Sequence, residues 1–292
     1  MTPSGASPYT VQGELPILDS PTLIIMMTGW IDASGAASGA MQHLINATAS
    51  RDMIHFDGDT FVDYRARRPM MELRDGVNTK LEWSVPKLFL GKDKNGKSVV
   101  LLTGPEPDSR WQHFAATVGS LAQQLGVRRM LGLGAYPVAT PHTRAVQLSC
   151  TSPNSELVAT LPYLKSSLDV PAGMEAALEH AMHSVGIPSL GLWAQVPHYV
   201  ASMAYPAAAA ALLGAVSDSG DIEIDISGLL EQATIQRERL DSLVRNNPEH
   251  AAMLTQLEQV FDEAHSGNGQ LTTGFGGVPL PSGDELAAEL EQ

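Results

Sequence analysis

Residues 98–135 read SVVLLTGPEPDSRWQHFAATVGSLAQQLGVRRMLGLGA and contain a strand, a helix and a second strand in direct succession. The first six residues form an apolar run, and apolar residues recur in 111–125 at spacings of three and four, which predicts an amphipathic helix. Asp108 is expected to cap that helix and Gly126 to end it. Another apolar run follows at 129–135. This order favours parallel strands joined by a right-handed crossover.

The same alternation continues on both sides of this unit. Upstream, an apolar run at 21–28 precedes a helix of small residues over 34–46. Downstream, a helix over 171–185 leads to a strand over 189–195, and another helix begins near Pro206. Strands that alternate with helices predict an α/β fold whose mostly parallel sheet is covered by helices on both faces.

Two other segments extend this core. Residues 70–83 read as two strands around Asp75-Gly76, a hairpin signal, so the sheet is expected to be mixed. After about Asp221, apolar residues at helical spacing predict two helices, with Asn247 as the cap of the second. The sequence therefore predicts an N-terminal extension at 1–20, an α/β core domain at 21–220, a helical hairpin at 221–265 and a flexible acidic tail at 266–292.

Composition limits the possible partners and the compartment. The formal net charge is −14, from 32 acidic and 18 basic residues, so neither nucleic acid nor an anionic membrane is an expected partner. The N-terminus lacks a basic segment followed by an apolar one, and the apolar run at 207–216 is far below the ~20 residues that span a bilayer. Cys150, the single cysteine, lies in a predicted strand and is expected to be a buried, inert thiol. A cytoplasmic protein is predicted.

Polar and aromatic residues follow each predicted parallel strand. In open α/β sheets, ligands bind beyond the carboxyl ends of the strands, so these residues are the candidate pocket. We call them the strand-end set: Trp30, Asp32, Glu106, Arg110, His142, Arg144, His198 and Tyr199.

The strand-end set supports two interpretations. Its histidines and glutamate can act as acid–base groups, its arginines can clamp an anion, and its aromatic residues can form one wall of a binding pocket. The set can therefore bind an anionic metabolite or hydrolyse a polar bond. Alternatively, Asp32 and Asp108 cap helices, while the histidines and arginines satisfy buried carbonyls and carboxylates. The sequence alone leaves both interpretations open.

No cofactor or metal site is expected. Residues 29–35 lack the Lys-Ser/Thr pair of a phosphate loop, and Gly132-Leu133-Gly134 is followed by Pro137 where a dinucleotide fingerprint needs glycine. No Gly-x-Ser-x-Gly nucleophile turn is present.

One predicted helix carries potential metal ligands. His180 and His183 lie three residues apart, with Glu175 and Glu179 nearby. The order HExxH of a helical zinc site is absent. We therefore interpret these four residues as a solvated helix face.

Several of these motifs together resemble the proteasome assembly chaperone 2 family, particularly its prokaryotic branch. The resemblance covers about residues 20 to 220. It rests on Gly29-Trp30-Ile31-Asp32-Ala33, on Phe56-Asp57-Gly58-Asp59 through Asp63 to Pro69, on Gly104 to Asp108 with Arg110-Trp111, on Pro141-His142-Thr143-Arg144 and on Pro197-His198-Tyr199.

This resemblance implies a three-layer α/β/α core of the phosphorylase/hydrolase type, a tendency to form homo-oligomers and no settled reaction. It favours a chaperone-like protein-interaction module with protein clients. The alternative is a small-molecule hydrolase or carboxylate–amine ligase-like enzyme, or a metabolite sensor, that takes an anionic small molecule at the strand-end set. The family's proteasome-docking tail ends in a hydrophobic residue, Tyr and one more residue, whereas this chain ends in Leu290-Glu291-Gln292. Docking through such a tail is not expected.

Overall fold

The computed structural model describes residues 7–266 of the chain. Within them the strands are β1 (Tyr9–Val11), β2 (Thr22–Thr28), β3 (Arg51–Phe56), β4 (Met70–Arg74), β5 (Val77–Glu82), β6 (Lys87–Lys92), β7 (Ser98–Pro105), β8 (Arg129–Val138), β9 (Leu148–Thr151) and β10 (Ser189–Pro197). The helices are α1 (Ala36–Ala47), α2 (Gly58–Phe61), α3 (Trp111–Gln124), α4 (Ser155–Thr160), α5 (Met174–Ser184), α6 (Pro206–Gly220), α7 (Ser227–Arg245) and α8 (Pro248–Ser266).

Eight of these strands form one mixed sheet in the order β1-β3-β6-β7-β2-β8-β10-β9. The central strands β7, β2, β8 and β10 are mutually parallel, and the remaining strands attach antiparallel at the two sides. Along β2, Ile24 and Met26 face one core, whereas Leu23 and Ile25 face the other. The apolar run of β2 is continuous because both of its faces are buried.

Helices cover both faces of the sheet. Helices α1 and α6 pack on one face, and α3 and α5 pack on the other. Alanines of α1 and α6, including Ala37, Ala40 and Ala208, are fully buried between these two helices and the sheet. The result is the expected three-layer α/β/α core with a mixed sheet.

The hairpin at 70–83 forms where the sequence predicts it but does not join the main sheet. Among residues 7–266, strands β4 and β5 pair only with each other. The antiparallel strands of the main sheet come instead from β1, β3, β6 and β9. Strand β1 belongs to the segment predicted as an N-terminal extension, and it pairs with β3.

The predicted cap of α3 is wrong. The helix begins at Trp111, and its N-cap position is Arg110, whose φ is 57°. Asp108 lies too early in the chain to reach the first turn. Its carboxylate instead accepts hydrogen bonds from Asp63 N at 2.8 Å and from Arg67 Nε at 3.1 and 3.2 Å. The predicted stop is confirmed, because Gly126 has a φ of +66° just after the helix ends.

The C-terminal helical hairpin consists of α7 and α8. Asn247 Oδ1 accepts a hydrogen bond from Glu249 N at 3.0 Å, which confirms the predicted cap.

The predicted tail lies outside the described residues from 267 onward, as do residues 1–6 of the extension. The division into domains stays a prediction. No helix within residues 7–266 is both long and apolar enough to cross a bilayer.

Candidate functional site

The strand-end set lies at the sheet edge where the parallel strands β2, β7, β8 and β10 end. Side chains in this region form two separate groups. The first group, the carboxylate cluster, is Glu106 at the end of β7 together with Glu175 and Glu179 of α5, which lie against Gly132 and Gly191 in the first halves of β8 and β10. The second group, the hairpin contact, joins His142 and Arg144 to the helices α7 and α8.

Glu106 directly follows β7 and holds the start of α5. Its backbone N–H donates to Thr28 O at 2.7 Å. Its carboxylate Oε1 accepts from the backbone N–H of Met174, the first residue of α5, at 2.5 Å. The side chain is therefore buried at a helix N-terminus, where the helix dipole favours a negative charge.

Glu175 and Glu179 are buried between α5 and the sheet. Glycines in the strands leave the space that their side chains fill: a Cβ on Gly132 would lie 2.1 Å from Glu175 Oε1, and a Cβ on Gly191 would lie 2.4 Å from Glu179 Oε1. Glu179 Oε1 accepts a hydrogen bond from Thr151 Oγ1 at 2.6 Å. Glu175 Oε1 has no hydrogen-bond partner among the described residues.

A small cavity of about 20 Å³ opens beside the carboxylate cluster. Glu106, Glu175 and the indoles of Trp30 and Trp193 are among its lining residues. A space of this size accommodates one water-sized group. Trp30 is 45% exposed, so this wall of the cavity reaches solvent.

Burial raises the pKa of all three glutamates of the cluster. The pKa of Glu175 rises well above its ordinary value, first through burial and then through the charges of Glu179 and Glu106. Burial raises the pKa of Glu179 to about 7, against the opposing hydrogen bond from Thr151. The pKa of Glu106 is also raised by burial, although the Met174 amide and the Arg67 charge partly offset it.

The interpretation of Glu175 and Glu179 as part of a solvated face is wrong. His180 and His183 are exposed as expected, but the two glutamates point to the sheet. The sequence does contain a sign of this burial, because Glu175 and Glu179 are four residues apart and lie next to the apolar positions of α5, on the same side of the helix. Within residues 7–266, no group of three or more His, Cys, Asp or Glu side chains is arranged to hold a metal ion.

His142 lies at the centre of the hairpin contact and is 3% exposed. The hydroxyl of Tyr199 is 2.8 Å from His142 N, from which it accepts, and 2.7 Å from Nδ1. His142 Nε2 is 3.1 Å from Asp241 Oδ1 on α7. A proton on Nε2 satisfies the Asp241 carboxylate, so the tyrosine hydroxyl donates to Nδ1.

Arg144 binds two acids of α8. Its Nε and Nη2 donate to the carboxylate of Asp262 at 2.8 and 2.6 Å, and its Nη1 donates to Glu258 at 3.1 Å. The Arg144 guanidinium lowers the pKa of Asp262. From α7, Arg237 donates to the backbone carbonyl of Thr143 at 3.1 Å. Of the two arginines predicted as an anion clamp, Arg144 is therefore occupied by carboxylates of the chain itself.

The remaining members of the strand-end set have other environments. Asp32 caps α1, because its carboxylate accepts from Ala37 N at 2.8 Å and from Ser38 N at 3.0 Å. Arg110 and His198 are exposed. The structure thus places Trp30 and Glu106 at the cavity, and His142, Arg144 and Tyr199 at the hairpin contact.

We expect Arg144→Ala to loosen α8 while leaving the core intact. The substitution removes every side-chain hydrogen bond from Arg144 to Asp262 and Glu258. Exposed ion pairs contribute little to global stability, so the effect should be local. Amide hydrogen exchange should become several-fold faster in 248–266 and stay unchanged in β2. Lys87→Ala, which removes a surface ion pair to Asp52, is the control. Equal exchange in α8 of the wild type and Arg144→Ala would contradict this assignment.

Comparisons with known proteins give a consistent family assignment. The model of the PAC2 family matches residues 26–244. A search of curated proteins found no match. The chain is similar to the crystal structure of a protein of unknown function from Corynebacterium glutamicum, with 29% identity and a TM-score of 0.81 over 88% of this chain and 97% of that chain.

Two Mycobacterium tuberculosis structures are also similar. One is a protein of unknown function, with 33% identity and a TM-score of 0.80 over 90% of this chain and 92% of that chain. The other is a proteasome-assembly chaperone homologue, with 29% identity and a TM-score of 0.73 over 80% of this chain and 99% of that chain.

Proposed function

Because the chain belongs to the PAC2 family, we propose that it is a cytoplasmic, chaperone-like protein-interaction module that forms a homo-oligomer and binds protein clients. The similar M. tuberculosis protein is described as a proteasome-assembly chaperone homologue, which supports this class of function. The structural observation that carries the proposal is the exposed β4–β5 hairpin.

The β4–β5 hairpin presents apolar side chains to solvent on a separate two-stranded sheet. At the base of the hairpin, Trp83 packs against Tyr64, with 4.5 Å between their ring centroids. Isolated two-stranded hairpins are marginally stable in water, and clustered exposed apolar residues mark interaction surfaces. The exposed large apolar residues are Met70, Met71, Leu73, Val77, Leu81 and Trp83.

A second copy of the chain is the occupant that we assign to this hairpin. Residues 70–83 carry three acidic and two basic residues. Where two hairpins meet, acidic side chains of one copy can therefore pair with basic side chains of the other. No other strand of the described part of the chain pairs with the outer edges of the two-stranded sheet, so backbone hydrogen bonds between copies can add to apolar contact.

The double substitution Met71→Thr/Leu81→Thr should dissociate the oligomer. These residues are directly opposite in the hairpin register, and threonine removes apolar area while it keeps the strand propensity. Light scattering coupled to size-exclusion chromatography should show the wild type as an oligomer and the variant as a monomer. Leu230→Gln/Leu243→Gln, at exposed leucines of α7, is the matched control and should stay oligomeric. A monomeric wild type or an oligomeric hairpin variant would overturn the proposal.

A second candidate function is catalysis on a small molecule, by a hydrolase or carboxylate–amine ligase-like activity, or sensing of a metabolite. The forked geometry of Arg144 supports it, because the guanidinium that binds Asp262 can bind another carboxylate. An anionic ligand would have to displace α8. Native mass spectrometry of the purified protein should then show a retained small molecule that His142→Ala/Arg144→Ala loses. A ligand-free oligomer that is indifferent to these substitutions would exclude this candidate.

A further inference from the structure

Helix α8 is held to the core by one short loop. Within residues 7–266, the only side-chain hydrogen bonds and ion pairs that join α8 to residues outside the α7–α8 hairpin come from Thr143 and Arg144. No residue of α8 is buried, and the Arg144 side chain is itself 32% exposed. Partly exposed ion pairs contribute little to global stability. Release of α8 from this loop therefore costs a small part of the free energy of folding and leaves the core intact.

Helix α7 is fixed more firmly than α8. Leu240 of α7 is buried in the core, and Asp241 lies 3.1 Å from Nε2 of the buried His142. The two helices are joined by the short turn at Asn246-Asn247. Because large movements are absorbed by a few residues at the ends of such elements, α8 can swing about this turn while α7 stays in place.

The loop binds two carboxylates that lie one helical turn apart. Arg144 donates through Nε and Nη2 to Asp262 and through Nη1 to Glu258, and Thr143 Oγ1 donates to the same Glu258 carboxylate. A planar guanidinium matches carboxylates in this forked manner, and residues four apart share one face of a helix. The loop therefore has the geometry to recognise an acidic helix.

An apolar residue directly precedes each of the two acids. Leu257 stands before Glu258 and Phe261 before Asp262, and both apolar side chains are half-buried in a helix that packs along α7. Apolar residues one turn apart are the anchors by which helices bind to surfaces of other proteins. A ligand of the same kind is an amphipathic helix with two apolar–acidic pairs four residues apart.

We propose that α8 is an autoinhibitory segment, which occupies within the chain a surface that binds an amphipathic acidic helix of a protein client. This surface, the acidic-helix site, consists of α7, Thr143 and Arg144. The inference rests on the proposed function as a protein-interaction module and specifies the chemistry of the client. A segment tethered by a short linker acts at an effective concentration on the order of millimolar, so α8 keeps the site closed until a client helix competes for Arg144.

The test uses a fluorescein-labelled peptide with the sequence of residues 248–266 as the acidic helix. The opened variant, Glu258→Gln/Asp262→Asn, keeps the side-chain volumes and removes the two charges that hold Arg144. Fluorescence anisotropy at about 0.15 M salt, where charges beyond about 8 Å are screened, should show the peptide bound at least about fivefold more tightly by the opened variant than by the wild type. Adding Arg144→Ala to the opened variant should abolish this binding.

Two controls identify the cause of the binding. Glu249→Gln/Glu263→Gln removes the same charge from α8 at residues that make no hydrogen bond or ion pair with the 143–144 loop, so this variant should bind the peptide as weakly as the wild type. A peptide with both of its Arg144-binding acids neutralised should bind the opened variant at least about fivefold more weakly than the unaltered peptide. Displacement of the peptide by an equal concentration of glutarate would overturn the proposal in favour of a site for small anions.

Other results would also overturn the proposal. A folded opened variant without saturable peptide binding would do so, as would equal binding of the neutralised peptide. If the double substitution prevents folding, Asp262→Asn alone serves as the opened variant, with the same expected direction. Dissociation of the oligomer by Arg144→Ala in light scattering would show that α8 is exchanged between copies and does not reserve the site for a client.

The acidic-helix site and the β4–β5 hairpin can fail independently. Among the described residues, the hairpin shares no hydrogen bond or ion pair with α7, α8 or the 142–144 loop, so Met71→Thr/Leu81→Thr in the opened variant should leave peptide binding unchanged. A monomeric wild type whose opened variant binds the peptide would refute the role of the hairpin alone. An oligomer whose opened variant does not bind the peptide would refute the acidic-helix site alone.

Discussion

Gly132→Ala should lower the free energy of unfolding by about 2 kcal/mol, because it overpacks the contact between β8 and α5. A Cβ at this position would lie 2.1 Å from Glu175 Oε1, 2.4 Å from Cδ and 2.7 Å from Cγ. Because most of the Glu175 side chain is too close, rotating its carboxylate alone does not relieve the overlap. Urea unfolding followed by circular dichroism measures the loss.

A double-mutant cycle with Glu175→Ala tests the cause of this loss. Truncation of Glu175 removes the overlapping atoms, so Gly132→Ala should be nearly neutral in the Glu175→Ala background. Gly214→Ala is the matched control: Gly214 lies inside α6, and within residues 7–266 its Cβ would meet no atom within 4 Å apart from the adjacent backbone of its own helix. This control should be neutral or stabilising by up to about 1 kcal/mol. Additive effects of Gly132→Ala and Glu175→Ala would show that the two residues do not compete for space.

The close packing of side chains against strand glycines also explains an ambiguous sequence motif. Gly132-Leu133-Gly134 has the start of a dinucleotide fingerprint, but its glycines create space for side chains of the protein itself. A Cβ on Gly134 would lie 2.3 Å from the Trp193 ring, just as a Cβ on Gly132 would overlap Glu175. Sequence alone identifies the glycines as sites of close approach. It does not say whether a ligand or a side chain approaches.

The central parallel strands were predictable because their apolar runs are long and both faces are buried. Ser98–Pro105 and Ser189–Pro197 are such strands. The sequence pattern did not predict the strands Arg51–Phe56 and Lys87–Lys92. They lie toward the side of the sheet, and their charged ends interrupt the apolar pattern on which strand prediction depends.

The candidate site was predictable in position but not in its partners. The rule that ligands bind beyond the ends of parallel strands led to Glu106 and Trp30, which line the cavity. It also led to His142 and Arg144, but Arg144 meets Asp262 118 residues further along the chain. A contact between residues so far apart has no local sequence signature. The buried glutamates of α5 were missed because glutamate is ordinarily exposed.

Stability should fall as the pH rises from about 4.5 to about 7, because Glu179 releases a proton more readily in the unfolded chain. Its pKa is about 7 in the folded protein and 4.5 ordinarily. In this window the folded state binds more protons than the unfolded state, so the stabilising contribution is complete below pH 4.5 and is lost by about pH 7. The loss for Glu179 is on the order of 3 kcal/mol. Glu175, whose pKa is also raised, adds to it with the same sign.

Glu179→Gln separates this effect from the other acids of the chain. Glutamine keeps an oxygen that can accept from Thr151, so the hydrogen bond at 2.6 Å is preserved while the titration is removed. The acids with lowered pKa values, such as Asp225 at about 2, act in the opposite direction and only below about pH 4. Urea unfolding across this range should therefore show a shallower decline for Glu179→Gln than for the wild type. Identical slopes between pH 4.5 and 7 would mean that Glu179 is not buried as an acid with a raised pKa.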